Sequence, residues 1–358
     1  MGTIVINSTP KMPNISSQLK QGEKLVFVNG KWSIVTDYTL VAGKQKSIAG
    51  GFVDYSTKNN ASLTKARAIK NNEYYIPYSA VEDELIYYMD YFKDATIYCP
   101  VDKLNAEQEN AFEKFFVENM KFLGIKRLIC TYHKPNQNGV AVIYDNNLTT
   151  KTIKLQGDGS FNTKECKNYM RMSDIVVANP SGSTARQFIS QIMEFDKKFI
   201  IVGDVNMVPY KDVFKYFMFK KMWCGYTKPA YFITDNTTPT KPSQIIENGV
   251  VYEKFGNKVW FTNLPVENKK ELSLSKSYNP NQYTNYDESD VIEVSKVKNI
   301  PCDFNGVMGV PLNFMEDYNP NQFEIVGRMN SNTYEGYACY AIIKGKNIYQ
   351  RILIKRIK

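Results

Sequence analysis

The stretch Asp174–Ile189, DIVVANPSGSTARQFI, decides the fold: an apolar strand over Asp174–Ala178 ends at Asn179-Pro180, and a helix begins shortly afterwards at Thr184. Outward from it the same alternation repeats. Upstream, the apolar and amphipathic runs predict a helix over Ala80–Phe92, a strand over Ala95–Cys99 and a helix over Ala106–Leu123 with Phe112, Phe115, Phe116, Met120 and Leu123 on one side. Strands over Arg127–Tyr132 and Val140–Tyr144 and a helix over Lys164–Met172 follow. Downstream, the helix runs to Glu194 and gives way to a strand over Phe199–Val202 and a helix over Lys211–Lys220. Strands alternating with helices imply an α/β unit, a doubly wound, mostly parallel sheet covered on both faces. Ligands of such sheets sit at the carboxyl ends of the strands.

The flanks read differently. In residues 1–60, β-like runs at Lys24–Val28 and Trp32–Thr36 are punctuated by Gly22, Gly30, Gly43, Gly50 and Gly51, which predicts a small β-rich N-terminal appendage. After Gly225, Pro, Asn and Tyr become frequent between short strands at Lys258–Thr262, Phe323–Val326, Tyr337–Ile343 and Arg351–Ile354. That region reads as a loop-rich C-terminal β extension suited to surface recognition. The pentapeptide YNPNQ, at Tyr278–Gln282 and Tyr318–Gln322, reads as two Asn-Pro turns. The expected division is 1–60, 61–225 and 226–358.

Composition narrows the chemistry. With 43% hydrophobic and 23% charged residues in 358, the chain can bury a full core. It holds no run of about 18 apolar residues that would span a bilayer, and MGTIVINSTPKMPNISS has neither the basic nor the apolar region of a signal peptide, so a cytosolic protein with no membrane partner is expected. Six cysteines lie far apart and His133 is the single histidine, so no metal site is expected. His133, in TYHKPNQN, reads as a solvated loop residue. Lys+Arg 45 against Asp+Glu 36 gives a net charge of +9, which favours a polyanionic partner such as nucleic acid. The basic C-terminus, RILIKRIK, fits equally a phosphate-contacting strand and an edge strand kept soluble by its charges.

Amino-methyltransferases place an Asn-Pro-Pro-aromatic tetrad at a strand-to-helix turn like that of Asn179. The amine of a purine is a poor nucleophile, so the site must accept its hydrogen bonds and stack the flipped base on a ring. The surrounding stretches, EFDKKFIIVGDVNMVPYKDVFKYFMFKKMWCGY, VWFTNL, DFNGVMGVPLNFMEDYNPNQFEIVG, RILIKR, LTKARAIKNNEYYIPYSAVEDEL, IYCPVD and GDGSFNTKEC, closely resemble the EcoRI-type DNA adenine methyltransferase family over residues 63–358. The resemblance implies a Rossmann-like methyltransferase fold, S-adenosylmethionine as cofactor and double-stranded DNA as substrate. It assigns Asn179 and Pro180 to catalysis, and Tyr74, Tyr75, Pro77, Asp102 and Asp158 to the cofactor. Arg186 and the C-terminal Arg351, Lys355 and Arg356 are the candidate DNA contacts. Ser183 and Arg186 read either as helix N-cap and phosphate contact or as ordinary first-turn residues.

Several positions depart from the family pattern. Ser181 and Gly182 stand where a second Pro and the stacking ring belong, Ser160 where a second acid is expected, and Ile76 where Thr is usual; Cys99-Pro100-Val101-Asp102 is a shortened acidic turn. Weakened or lost catalysis is the expectation from these changes. The alternative is a non-enzymatic component that binds DNA, or a protein partner through residues 1–60.

Overall fold

A computed structural model describes residues 24–28, 31–35, 74–101, 110–147, 149–266, 270–329 and 339–357. The chain separates into two compact units, one from Met1–Tyr87 with Tyr231–Lys254, the other from Tyr88–Ala230 with Phe255–Lys358. The first carries β1 (Lys24–Val28), β2 (Lys31–Val35), β3 (Tyr74–Tyr75) and α1 (Tyr78–Leu85). The second then runs through α2 (Met89–Phe92), β4 (Thr96–Val101), α3 (Ala111–Leu123), β5 (Arg127–Tyr132), β6 (Val140–Asp145) and β7 (Thr150–Lys154). It continues through α4 (Lys164–Met172), β8 (Ile175–Ala178), α5 (Ala185–Glu194), β9 (Lys198–Asp204), α6 (Lys211–Met218) and β10 (Trp223–Cys224). An excursion into the first unit contributes β11 (Tyr231–Thr234), β12 (Gln244–Glu247) and β13 (Val250–Lys254). The rest holds β14 (Lys258–Thr262), β15 (Ile292–Glu293), β16 (Met308–Val310), α7 (Phe314–Asp317), β17 (Phe323–Arg328), β18 (Ile342–Ile343), β19 (Lys346–Asn347) and β20 (Ile352–Arg356).

In the first unit, β1 and β2 form an antiparallel hairpin, in line with the β-rich runs expected there. A four-stranded sheet has the order β12-β13-β11-β3, with every pairing antiparallel. The remainder of the expected appendage, and residues 1–60 as a partner surface, lie outside the described residues apart from that hairpin.

The second unit is built on an eight-stranded sheet of order β10-β14-β9-β8-β4-β5-β6-β7. Its inner four strands, β9-β8-β4-β5, are parallel. The outer pairs on both sides are antiparallel, four pairings against three, so the sheet is mixed and not mostly parallel as expected. The local causes are plain. Asn110 caps α3 by accepting from the backbone N–H groups of Phe112 and Glu113 at 2.9 and 3.0 Å, and Gly124 ends it at φ 64°, the left-handed conformation glycine adopts freely. Phe112, Phe115, Phe116, Met120 and Leu123 are its buried side. Tyr98, Val176, Ala178, Ile201 and Phe261 from the sheet share one buried cluster with Phe188 of α5 and Phe214 and Phe217 of α6.

The boundary expected at 225/226 does not divide this unit. β14 pairs with β9 from Lys258–Asp204 to Thr262–Ile200, inside the large sheet. A second sheet, β15-β16-β20-β17, places Ile292, Val310, Ile325 and Ile354 in the same buried cluster as α6. Long-range strand pairing joins what composition separates.

Candidate functional site

The parallel strands single out one edge of the large sheet. From β4 the chain passes through α3 to β5 on one side, and only later to β8 on the other, so the strand order reverses between β4 and β8. In such sheets that reversal opens a ligand crevice at the carboxyl ends of the strands. β8 ends there, and Asn179 and Pro180, both half-buried, follow its last residue directly. The turn is closed by Ser181, whose carbonyl accepts from the N–H groups of Thr184 and Ala185 at 3.0 and 2.9 Å and whose Oγ lies 2.8 Å from Thr184 Oγ1. The residue at the start of α5 is Thr184, not Ser183, and its side chain makes no capping bond. Ser181, Gly182 and Ser183 are exposed, and a Cβ added to Gly182 would meet no atom within 4 Å. The turn has room for the side chain it lacks.

β5 and β7 end on the same edge, because β7 is antiparallel to β6 and β6 to β5. The loop after β7 brings Asp158 to the end of β5. Its carbonyl accepts the Lys134 N–H at 2.8 Å, one carboxylate oxygen accepts the Ser160 N–H at 2.9 Å, and the other lies 3.3 Å from His133 Nε2. His133 is therefore a partner of a candidate cofactor carboxylate and not the solvated, partnerless loop residue expected. Behind this loop, Tyr132 and Tyr144 donate to the two carboxylate oxygens of Glu113, Tyr144 at 2.8 Å. Burial, reinforced by the Glu113 carboxylate, pushes both phenols well above the ordinary tyrosine value. Asp102, at the end of β4, lies outside the described residues.

Tyr74, Tyr75 and Pro77 belong to the first unit. Tyr74 and Tyr75 form β3 and pair with Thr234 and Ile233, and Pro77 begins α1, its carbonyl accepting from Ala80 and Val81. Lys241 Nζ stands 3.5 Å from both the Tyr74 hydroxyl and Glu253, whose buried carboxylate also accepts from Ser243 and Gln244. Burial pulls the Lys241 pKa down, but Tyr74 and Glu253 outweigh it and leave it raised.

The candidate DNA contacts divide by environment. Arg186, in the first turn of α5, is exposed; its guanidinium carbon lies 4.4 Å from the centre of the Tyr210 ring and Nη1 lies 3.5 Å from Asp212. Arg351 is buried, and its Nη2 donates to Glu293 at 2.6 Å, so its charge is spent inside the protein. Arg356 is half-buried and donates to the Cys302 carbonyl. Of the three C-terminal residues only Lys355 is exposed, and β20, paired by β16 on one side and β17 on the other, is not an edge strand, one of the two readings of RILIKRIK. Tyr210, which the sequence reading did not single out, follows β9 after a 3-10 turn, Val205–Met207, and stands directly before α6. Among the described residues no cluster of side chains is suited to a metal, and no helix is long and apolar enough to cross a membrane.

Residues 62–357 match the family described as adenine-specific methyltransferase EcoRI. The chain belongs to that family. It is 34% identical over 330 residues to the type II methyltransferase M.EcoRI of Escherichia coli, covering 83% of this chain and 96% of that one. The type II methyltransferases M.MgeORF184P of Mycoplasma genitalium and M.MpnI of Mycoplasma pneumoniae are 33% and 30% identical over 315 residues, each match covering 82% of this chain and 98% of the relative. Each of these three matches thus spans almost the full length of the relative.

Proposed function

We propose that this family member binds S-adenosylmethionine and double-stranded DNA and directs a methyl group to the exocyclic amine of adenine, with turnover lowered by the changes at 181 and 182. The observation that carries the reading is Asn179-Pro180 standing at the end of β8, where the parallel strand order reverses. The chemistry of this edge fits the cofactor, since the solvent-accessible carboxylate of Asp158 suits its hydroxyl or ammonium groups. When bound, S-adenosylmethionine supplies an electrophilic methyl group. The protein's part is to orient the amine. The Asn179 side-chain oxygen and the main-chain carbonyl held by Pro180 accept its two N–H bonds and localise its lone pair. Tyr74, Tyr75, Pro77, Asp102 and Asp158 are the proposed cofactor residues, and Arg186 and Lys355 the exposed phosphate contacts.

Gly182 and Ser160 favour a second reading, DNA binding without turnover. Transfer of labelled methyl to mixed-sequence duplex DNA separates the two. Incorporation above background that falls about a hundredfold in Asn179→Ala, the scale of losing one preorganised polar partner, supports the enzyme. Retained DNA binding with no calorimetric heat at millimolar S-adenosylmethionine assigns the second reading.

A further inference from the structure

We propose that Tyr210, held against Arg186, is a base-stacking contact for nucleic acid and offers the aromatic surface that position 182 lacks. The inference rests on the reading of DNA as substrate. Both residues start helices at the carboxyl edge of the large sheet: Arg186 lies in the first turn of α5, which follows β8, and Tyr210 is the N-cap of α6, which follows the neighbouring strand β9. The guanidinium is fixed from two sides, by the ring 4.4 Å away and by Asp212 at 3.5 Å in the first turn of α6. A planar cation over an aromatic ring is attracted to its π face and holds the ring in place.

Tyr210 is 49% exposed, although Val213, Phe214 and Phe217 of the helix it precedes are buried. Its surroundings are cationic. Lys211, next in the chain, and Lys215, one turn further along α6 with its ammonium over the Tyr216 ring, are both exposed, and with Arg186 they set three positive charges against Asp212. A ring among cations is the composition of nucleic-acid platforms, in which bases stack on the aromatic and phosphates meet the Lys and Arg side chains. The Asn179 turn itself offers no competing ring, since Gly182 carries no side chain and faces open space.

The test measures binding of the full chain to a fluorescein-labelled mixed-sequence single strand, which offers unpaired bases without a target sequence, and to the matching duplex, across a salt series. Tyr210→Asn removes the ring and leaves a favoured N-cap residue for α6. It is expected to weaken single-strand binding by about 5- to 100-fold, the scale of one lost base stack, without changing the salt slope. Tyr210→Phe is expected to bind as the unmodified chain does, and Arg186→Gln to lower the salt slope by about one. Thermal unfolding of each variant confirms that α6 is intact. Unchanged binding by a folded Tyr210→Asn chain, or a Tyr210→Phe chain as weak as Tyr210→Asn, overturns the stacking role alone. An unmodified chain that binds neither probe overturns the DNA reading along with it.

Discussion

At Gly159 the backbone has φ 81°, and an added Cβ would lie 2.4 Å from the Tyr132 carbonyl oxygen, whereas at Gly182 it would meet nothing within 4 Å. The two glycines flank the same edge for opposite reasons. Gly159→Ala is expected to destabilise the protein by at least about 1–3 kcal/mol, the cost of a disfavoured backbone region, before the collision is added. Gly182→Ala is expected to change stability by no more than about 0.5 kcal/mol. Thermal unfolding of the two variants side by side checks both. At this scale the sequence was legible where chemistry and chain position coincide, as in Asn179-Pro180 at a strand end. It was silent on the His133–Asp158 contact, because the partner arrives on a loop separated from His133 by two further strands, and no local pattern records that meeting.

β20 and the residue that leads into it, Arg351, sort their charges by environment. Arg351 is drawn inward to Glu293, which also accepts from the Tyr286 hydroxyl, while Lys355 points to solvent. Removing one partner of a buried pair leaves an uncompensated charge, so Arg351→Gln is expected to cost about 3–5 kcal/mol of stability and to leave the salt dependence of DNA binding unchanged. Lys355→Gln is expected to leave stability within about 0.5 kcal/mol and to lower the salt slope by about one. Denaturant unfolding and a salt series of binding curves measure the two effects independently. Elements with strong periodicity were legible to the residue: Arg127–Tyr132, Lys164–Met172 and Lys258–Thr262 have the expected bounds. Both YNPNQ segments are turns, with the Asn279 and Asn319 side chains accepting from Asn281 and Asn321 at 2.9 Å. The helix expected over Ala80–Phe92 instead breaks at a 3-10 turn, Ile86–Tyr88, because hydrophobic spacing carries across a change of helical pitch. The pairing of β14 with β9 was not legible either, since alternation marks a strand but not its neighbour.

At the scale of the whole molecule, tyrosine is the residue type whose titration is most often altered among the described residues. Burial raises the phenols of Tyr98, Tyr132, Tyr144 and Tyr318, the last to about 12, among the chain's 25 tyrosines. The folded chain holds these protons more tightly than the unfolded chain does. Their contribution is therefore intact below the unfolded phenol value of about 10 and is lost as pH rises toward the folded values. Phenolate absorbance followed against circular dichroism is expected to show an early step from exposed rings and a second step coincident with alkaline unfolding. A single early step with structure retained would contradict the raised phenols of these four residues. The same scale gives the excursion through β11–β13 its meaning. The chain leaves the larger unit at Ala230 and re-enters at Phe255, and the Phe255 N–H donates to the Ala230 carbonyl at 2.8 Å. A segment whose entry and exit are clasped in this way is an exchangeable cassette. Changes of length within it leave the threading of the eight-stranded sheet untouched, so long as β11 keeps its pairing with Tyr74 and Tyr75.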